Sequence, residues 1–111
     1  MDFHCVAKDV LAFRNKRDWE QFHNPKDLAI SICLEAAELL EIFQWSGVDV
    51  EVEAKQNKIK EELADLLIYC IYLADCVQVD IPSIVSEKIK INENKYPAEK
   101  ACGNARKYTD L

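Results

Sequence analysis

The stretch 28–45, LAISICLEAAELLEIFQW, decides the fold of this chain. Apolar residues recur through it at the three- and four-residue spacing of a helix, so one side of the helix forms a broad apolar stripe. Its only charged residues are three glutamates, Glu35, Glu38 and Glu41. Asn24 is a good N-cap and Pro25 suits the first helical position, so the helix begins just before the stretch. Such a helix must pack its stripe against other elements.

Three further segments have the same helical periodicity. They cover residues 5–16, 52–77 and 80–94. A connection with two aromatic residues, 17–23, follows the first helix, while 46–47 (SG) ends the second and 96–97 (YP) ends the last. No linker divides the chain, and 111 residues suit one domain. We therefore predict a single all-α domain over residues 1–111, with a four-helix bundle-like fold.

The composition excludes several classes of protein. Half of the residues are apolar, with two glycines and three prolines, which excludes a disordered or collagen-like chain and disfavours a β-sandwich. Lysine and arginine number 14 against 20 aspartates and glutamates, which gives a net charge of −6. Such a chain has no general attraction for a nucleic-acid backbone, so we expect no nucleic-acid polymer as a partner. A phosphate-bearing ligand must then be held by local cations or by a metal.

The cysteines and the apolar runs predict the compartment. Five cysteines without a C-x-x-C pair predict reduced thiols in the cytoplasm, with Cys33 and Cys70 buried. The chain opens without a signal-peptide pattern, and its longest uncharged apolar run, 66–74, is too short to cross a bilayer. That run is apolar nearly all round, so a helix there needs cover on every side. We expect no membrane partner and a homo-oligomer, a dimer or a tetramer.

Two helices carry carboxylates at the same spacing. Glu35 and Glu38 stand three residues apart beside the apolar stripe of the second helix. Glu62 and Asp65 do the same on the third helix, and Tyr69 extends their face by one turn. If the helices pack antiparallel, the four carboxylates converge, and the nearby sequence offers them no cation of their own. Carboxylate oxygens select a hard cation, so the pattern predicts bound Mg²⁺, or alternatively Mn²⁺.

Two other interpretations of the carboxylates are weaker. A single E-x-x-E is common on the solvated face of an amphipathic helix, but two such pairs beside apolar stripes are unusual. A di-iron carboxylate bundle also uses inward glutamates, but it requires Glu-x-x-His, and neither His4 nor His23 stands in that motif. The magnesium interpretation is therefore favoured.

These motifs resemble those of a known family. The pair Glu35-x-x-Glu38, followed after 23 residues by Glu62-x-x-Asp65, is similar to the signature of the MazG-like all-α nucleoside triphosphate pyrophosphohydrolase superfamily. Four further stretches resemble the dCTP pyrophosphatase branch of that superfamily. They are RDWEQFH at 17–23, EIFQW at 41–45, KYPA at 95–98 and RKYT at 106–109. The resemblance extends over nearly the whole chain from about Phe13.

The resemblance implies an activity and a set of site residues. Members of the branch hydrolyse a nucleoside triphosphate between its α and β phosphates, and they assemble as tetramers made from dimers. The implied metal ligands are the four carboxylates Glu35, Glu38, Glu62 and Asp65. The implied substrate-binding residues are Trp19 and Trp45, which sandwich the base, Tyr69 in the pocket wall, Asn92 and Lys95 on the phosphate side, and Arg106 and Lys107 in the tail. Glu38 and Glu41 are the candidates for orienting the attacking water.

Together, the residues and the resemblance predict a Mg²⁺-dependent enzyme. We expect hydrolysis of dCTP or a modified dCTP to the monophosphate and pyrophosphate, a reaction that cleans the nucleotide pool. The alternative is a non-catalytic helical module that binds nucleotides or a protein partner. Release of pyrophosphate from deoxynucleoside triphosphates distinguishes the two.

Overall fold

The computed structural model describes residues 1–45 and 53–111, and in these ranges the chain is helical without a strand. Five α-helices occur there: α1 (Phe3–Lys16), α2 (Pro25–Glu41), α3 (Gln56–Val77), α4 (Ile81–Lys95) and α5 (Ala98–Ala101). Single 3-10 turns lie at Glu20–Phe22, Glu53–Lys55 and Tyr108–Asp110. The prediction of an all-α fold is confirmed, because the four long helices coincide with the four periodic segments.

Short polar side chains begin the helices as the sequence predicts. The Asn24 side-chain oxygen accepts a hydrogen bond from the Asp27 amide at 2.9 Å, and Pro25 is the first residue of α2. The α4 helix begins in the same way, because an Asp80 carboxylate oxygen accepts from the Ser83 amide at 3.1 Å. These local bonds satisfy amides that have no partner within their own helix.

The α2 helix ends four residues earlier than the apolar pattern predicts. It stops at Glu41, and residues 42–45 form a turn in which successive amides bond to carbonyls three residues back. Trp45 then has a φ of 66°, in the left-handed region that a helix cannot continue through. The periodic pattern shows which side chains are apolar, but it does not show at which residue the helical hydrogen bonds end. The expected helix end at 46–47 and helix start at Val52 lie outside the described residues.

Residues 1–78 form one compact unit, with α3 as the helix on which the others pack. The main contact is between α2 and α3, and α1 makes a smaller one with α3. The core is small: Leu28 of α2 is buried together with Ile71, Tyr72 and Ala74 of α3. Because α2 lies along α3, polar groups placed beside their apolar stripes come close together.

Residues 79–111 form a second compact unit that contains α4 and α5. The rings of Tyr96 and Tyr108 meet edge to face at 6.0 Å between centroids. The Lys95 ammonium lies 4.9 Å from the centre of the Tyr108 ring, within the range of a cation–π contact. A single domain over 1–111 stays a prediction.

Large apolar side chains of α2 and α3 remain exposed. They are Ile30, Leu34, Leu40, Leu63 and Leu67. Cys33 is also exposed and Cys70 is only half-buried, so the expectation of a buried Cys33 is wrong. The physical reason is that the small core does not cover all of the apolar surface of α2 and α3. All five cysteines are free thiols. No single described helix is long and apolar enough to cross a membrane, and only Glu53–Val77 and Ile81–Lys95 taken together meet the length and composition of a span.

Candidate active site

Three carboxylates from two helices meet at the α2–α3 contact. Glu35 comes from α2, and Glu62 and Asp65 come from α3. One oxygen of each lies within 4.8 Å of the others. Glu62 is buried and Glu35 is half-buried, so their charges are only partly screened by water. Three like charges at this distance repel one another unless a cation lies between them.

Two oxygens of this cluster have no hydrogen-bond partner among the described residues. They are the Oε2 atoms of Glu35 and Glu62, and both are buried. An ionised carboxylate accepts hydrogen bonds but donates none, so a buried oxygen without a donor is costly. A divalent cation satisfies such oxygens directly, and an all-oxygen donor set fits Mg²⁺ or Mn²⁺.

Glu38 adjoins the cluster from the exposed side of α2. Hydrogen bonds with the carboxyl groups of Glu62 and Glu35 raise the pKa of Glu38 to about 7, and the negative charges of both neighbours act in the same direction. A hydrogen bond between two carboxyl groups requires a proton on one of them. The raised pKa of Glu38 therefore indicates that the negative charge of the carboxylates is not balanced by nearby positive charge.

One cation does lie beside the cluster, which corrects the expectation that these carboxylates have none of their own. The Lys58 ammonium is 3.4 Å from Glu62 Oε1, one helical turn away on α3. The pair is partly solvated, because the Lys58 side chain is 62% exposed, so its interaction is weak. The i, i+4 spacing of this pair was visible in the sequence.

An aromatic cleft of about 390 Å³ opens beside Asp65. It is lined by residues of α1, the connection and α3: Val6, Asp9, Val10, Phe13, Trp19, Asp65, Ile68, Tyr69 and Tyr72. The Trp19 ring meets the Phe13 ring edge to face, with centroids 5.8 Å apart. Burial, and then the negative charge of Glu35, raise the pKa of Tyr69, so its hydroxyl stays a hydrogen-bond donor. The volume suits a nucleotide-sized ligand.

A second, more polar cleft of about 460 Å³ also adjoins the cluster, at Glu62. Its lining consists of Glu38, Glu41, Ile42, Lys58 and Glu62. Asp65 thus belongs to the aromatic cleft and Glu62 to the polar cleft, while both belong to the carboxylate cluster. The cluster therefore connects an apolar surface for stacking with a charged surface.

Comparison with known proteins identifies the family of the chain. Residues 30–111 match the model of the MazG-like family. The chain belongs to the MazG-like family. Human and rat dCTP pyrophosphatase 1 are 41% and 43% identical to it over 104 residues, which cover 89% of this chain and 61% of each relative. The chain thus spans less than two thirds of those relatives.

A solved structure is also similar to this MazG-like chain. It is a pyrophosphatase from Archaeoglobus fulgidus, with 39% sequence identity and a TM-score of 0.80. The match covers 87% of this chain and 95% of the archaeal one. The likeness therefore extends through most of both chains.

Trp45 is the one predicted base-binding residue of 1–78 that does not line the aromatic cleft. It is 93% exposed, at the end of the turn after α2. Trp19, by contrast, is 43% exposed and lies in the cleft wall with Tyr69. The structure brings two of the three predicted base-contacting residues together and leaves Trp45 facing solvent.

The other four predicted substrate residues lie in the unit 79–111, where all four are exposed. Asn92 is on α4 and accepts the Tyr96 amide through its main-chain carbonyl at 2.7 Å. Lys95 ends α4. The Arg106 amide donates to the Asn104 side chain at 3.0 Å, and Lys107 caps the last 3-10 turn.

Sequence reasoning did not select Tyr72 as a site residue, although Tyr72 lines the aromatic cleft together with Trp19. The Tyr72 ring packs on Tyr69 at 5.6 Å and on His23 at 4.8 Å between centroids. In the sequence, Tyr72 stands within an apolar run and reads as an ordinary core residue. Only the packing of the connection 17–23 against α3 reveals that it borders a cleft.

The Lys58–Glu62 pair predicts a change in metal affinity. Lys58→Met is expected to strengthen Mn²⁺ binding about 1.4- to fivefold, because the lysine competes with the metal for Glu62 and a surface pair contributes roughly 0.2–1 kcal/mol. Isothermal titration calorimetry of Mn²⁺ measures this. Lys60→Met is the matched control, since it removes the same charge from α3 away from the cluster. Equal affinities of the two variants would contradict the prediction.

His23 predicts a pH dependence of stability. Burial lowers its pKa below 6.5, Arg14 lowers it further, and its Nδ1 atom is buried without a partner among the described residues. The folded chain therefore holds His23 in its neutral form, while the unfolded chain takes up a proton there more readily. The free energy of unfolding is therefore highest above pH 6.5, and it falls as the pH drops from 6.5 through the folded pKa. Between pH 7.5 and 5.5, the melting temperature of His23→Gln should fall less than that of the unmodified chain. His4→Gln is the control. The prediction would be refuted if the melting temperature changed with pH by the same amount in His23→Gln, in His4→Gln and in the unmodified chain.

Proposed function

We propose that this MazG-like chain is a nucleoside triphosphate pyrophosphohydrolase that cleaves dCTP or a modified dCTP to the monophosphate and pyrophosphate. One observation carries the proposal: Asp65 belongs at once to a carboxylate cluster and to an aromatic cleft. A cluster of this kind suits metal-bound phosphates, and the cleft suits a base. The names of the relatives, dCTP pyrophosphatase 1, support the substrate class.

The metal ligands in this proposal are Glu35, Glu38, Glu62 and Asp65, with Mg²⁺ as the cofactor and Mn²⁺ as a substitute. The two partnerless buried oxygens support this assignment. When bound, the metal supplies Lewis-acid stabilisation of the phosphate charge and lowers the pKa of water. The carboxylates themselves hold the metal at the junction of the two clefts and keep other anions out of it.

The base is proposed to stack on Trp19, with Tyr69 and Tyr72 in the remaining wall. A stack of this kind is tolerant of base identity, so cytosine preference depends on polar groups at the edge of the cleft. Trp45 is proposed as a second stacking surface. Its large exposure leaves it available to a base bound between copies of the chain.

The attacking water is proposed to be oriented by Glu38 or Glu41, which line the polar cleft together. A carboxylate there accepts a hydrogen bond from water and aligns it with the α phosphorus, opposite the leaving pyrophosphate. Asn92, Lys95, Arg106 and Lys107 are proposed to contact the phosphates. Their amide and cationic groups complement a polyanion.

The partner we propose besides the nucleotide is a second copy of the chain. The apolar side chains of α2 and α3 that are exposed in the single chain would gain free energy by burial against a second copy. We also propose a cytoplasmic location, in accord with five free thiols, and neither a membrane nor a nucleic-acid partner.

Light scattering is expected to give the mass of a dimer or a tetramer of the 12.8 kDa chain. Leu34, 61% exposed on α2, is expected to lie in the contact. Leu34→Glu should lower the mass, because a carboxylate in an apolar contact loses its hydration. A monomeric mass of the unmodified chain at micromolar concentration would refute the oligomer.

The activity is tested by measuring pyrophosphate release from dCTP, 5-methyl-dCTP, dTTP, dATP and dGTP, with and without Mg²⁺. The proposal expects Mg²⁺-dependent release, fastest from the cytosine nucleotides. Release of orthophosphate in place of pyrophosphate would refute cleavage between the α and β phosphates. No release from any of the nucleotides would favour the non-catalytic binding module.

A further inference from the structure

Arg14 is the most buried charged residue among the described ones. Only 4% of it is exposed, near the end of α1. A buried guanidinium requires a charged partner, and Arg14 Nη1 donates to Asp75 Oδ2 on α3 at 2.8 Å. The ion pair therefore fastens the end of α1 to α3.

The same arginine also holds the connection 17–23. Its main-chain carbonyl accepts the amide of Trp19 at 3.2 Å, and its Nη2 atom lies 3.7 Å from Glu20. Asp18, which precedes Trp19, has a φ of 54°, a left-handed conformation that needs support from its surroundings. Arg14 thus contacts the connection at Trp19, which lines the aromatic cleft, and at Glu20, which follows it.

The far end of the connection rests on the same helix. The His23 carbonyl lies 3.9 Å from the Cys76 thiol, and the His23 ring packs on Tyr72. Both ends of the connection are therefore held against α3. Among the described residues, the Arg14–Asp75 pair is the only ion pair that joins the α1 end to α3. Its loss leaves this end of the connection without a charged anchor.

We propose that Arg14 is a positioning residue for nucleotide binding, through its ion pair with Asp75. The pair keeps the connection against α3, so that Trp19 stands in the wall of the aromatic cleft before a nucleotide arrives. This inference rests on the proposed function. If the positioned conformer falls to a tenth of the population, the apparent affinity for nucleotide falls about tenfold.

The effect of the pair is separable from the metal site. Asp75 follows Asp65 by ten residues on α3, which is about 15 Å along a helix. Loss of the pair should therefore raise KM and leave kcat and metal affinity nearly unchanged. A general loss of folding would lower all three.

Two variants test the proposal. Asp75→Asn removes the charge, and Arg14→Met combined with Asp75→Leu replaces the buried pair by apolar groups, a change that proteins tolerate well. In both we expect KM for dCTP to rise about tenfold, with kcat within about twofold and Mn²⁺ affinity unchanged. Lys16→Met, an exposed change at the end of α1, is the matched control.

Fluorescence supplies a readout that does not depend on turnover. In a Trp45→Phe background Trp19 is the only tryptophan, so selective excitation of tryptophan reports on it alone. Loss of the pair should increase the quenching of Trp19 by acrylamide. Unchanged KM and unchanged quenching in the folded variants would overturn the proposal, and so would a joint fall of kcat and Mn²⁺ affinity. If the unmodified chain hydrolyses no nucleotide, the proposed function fails, and the quenching of Trp19 still decides whether Arg14 positions it.

Discussion

Asp65→Asn is expected to reduce the rate of pyrophosphate release about 1,000-fold, which corresponds to roughly 4 kcal/mol of lost transition-state stabilisation. Asp65 is the carboxylate that the cluster and the aromatic cleft share. An amide in its place keeps the shape of the side chain and removes the negative charge that a divalent ion requires. The loss should therefore fall on metal-dependent turnover.

The fold of this variant should survive. Asp65 is exposed and belongs to a group of like charges, so its neutralisation relieves repulsion and leaves the core untouched. Circular dichroism should give the helix content of the unmodified chain and a melting temperature that is equal or higher. Titration of Mn²⁺ should reveal weakened binding in the same sample.

Glu61→Gln is the matched control for this experiment. It removes one negative charge from an exposed position of α3 next to Glu62, and Glu61 is not a member of the cluster. Its turnover should stay within about twofold of the unmodified chain, since exposed charges act weakly at a distance. Near-normal turnover of Asp65→Asn, or an equal loss in Glu61→Gln, would refute the metal site.

Glu38→Gln extends the test to the carboxyl with the raised pKa. Glutamine can still hydrogen-bond Glu35 and Glu62, so the local geometry is kept while the charge is removed. If Glu38 is a metal ligand or orients the water, turnover falls strongly. If Glu38→Gln retained full activity, both roles would be excluded for it.

The sequence was sufficient where the deciding interactions are local. The cap at Asn24 depends on residues three positions apart, and the carboxylate pairs depend on the i, i+3 geometry of one helix. Their meeting across α2 and α3 required one further assumption, that the two helices pack antiparallel. The structure brings Glu35, Glu62 and Asp65 together.

The sequence was insufficient where the partner is distant or where only packing defines it. Arg14 and Asp75 are 61 residues apart, and an arginine near a helix end reads as a solvated charge. No periodicity connects the two positions, because the contact depends on how the connection 17–23 folds back. The exposure of Cys33 was missed for the opposite reason, since apolar surroundings in sequence do not establish burial in space.

Trp19→Ala is expected to raise KM for dCTP about 5- to 150-fold, because a stacked base is worth roughly 1–3 kcal/mol. The value of kcat should change less, since the stack forms in the ground state as well as in the transition state. Trp19→Phe should recover part of the affinity, because a smaller ring still stacks. Steady-state kinetics of pyrophosphate release measure all three values.

Two further measurements separate stacking from a general disturbance of the cleft. Inorganic tripolyphosphate has no base, so its inhibition constant should be the same for Trp19→Ala and the unmodified chain. Phe22→Ala is the matched control, because Phe22 lies in the same connection and is 66% exposed. An equal loss of tripolyphosphate affinity, or an equal rise of KM in Phe22→Ala, would contradict the stacking role.

Trp45→Ala, measured in parallel, then decides how the base is enclosed. Trp45 lies outside the wall of the aromatic cleft and is almost fully exposed in the single chain. If a base stacks on Trp19 alone, Trp45→Ala leaves KM nearly unchanged. If the base is sandwiched, the two alanine variants raise KM to a similar extent, and the second ring must reach the cleft by movement of its own turn or from a second copy of the chain. Leu34→Glu separates these two routes, because it is expected to dissociate the copies and should then abolish only the contribution of a ring supplied by the other copy.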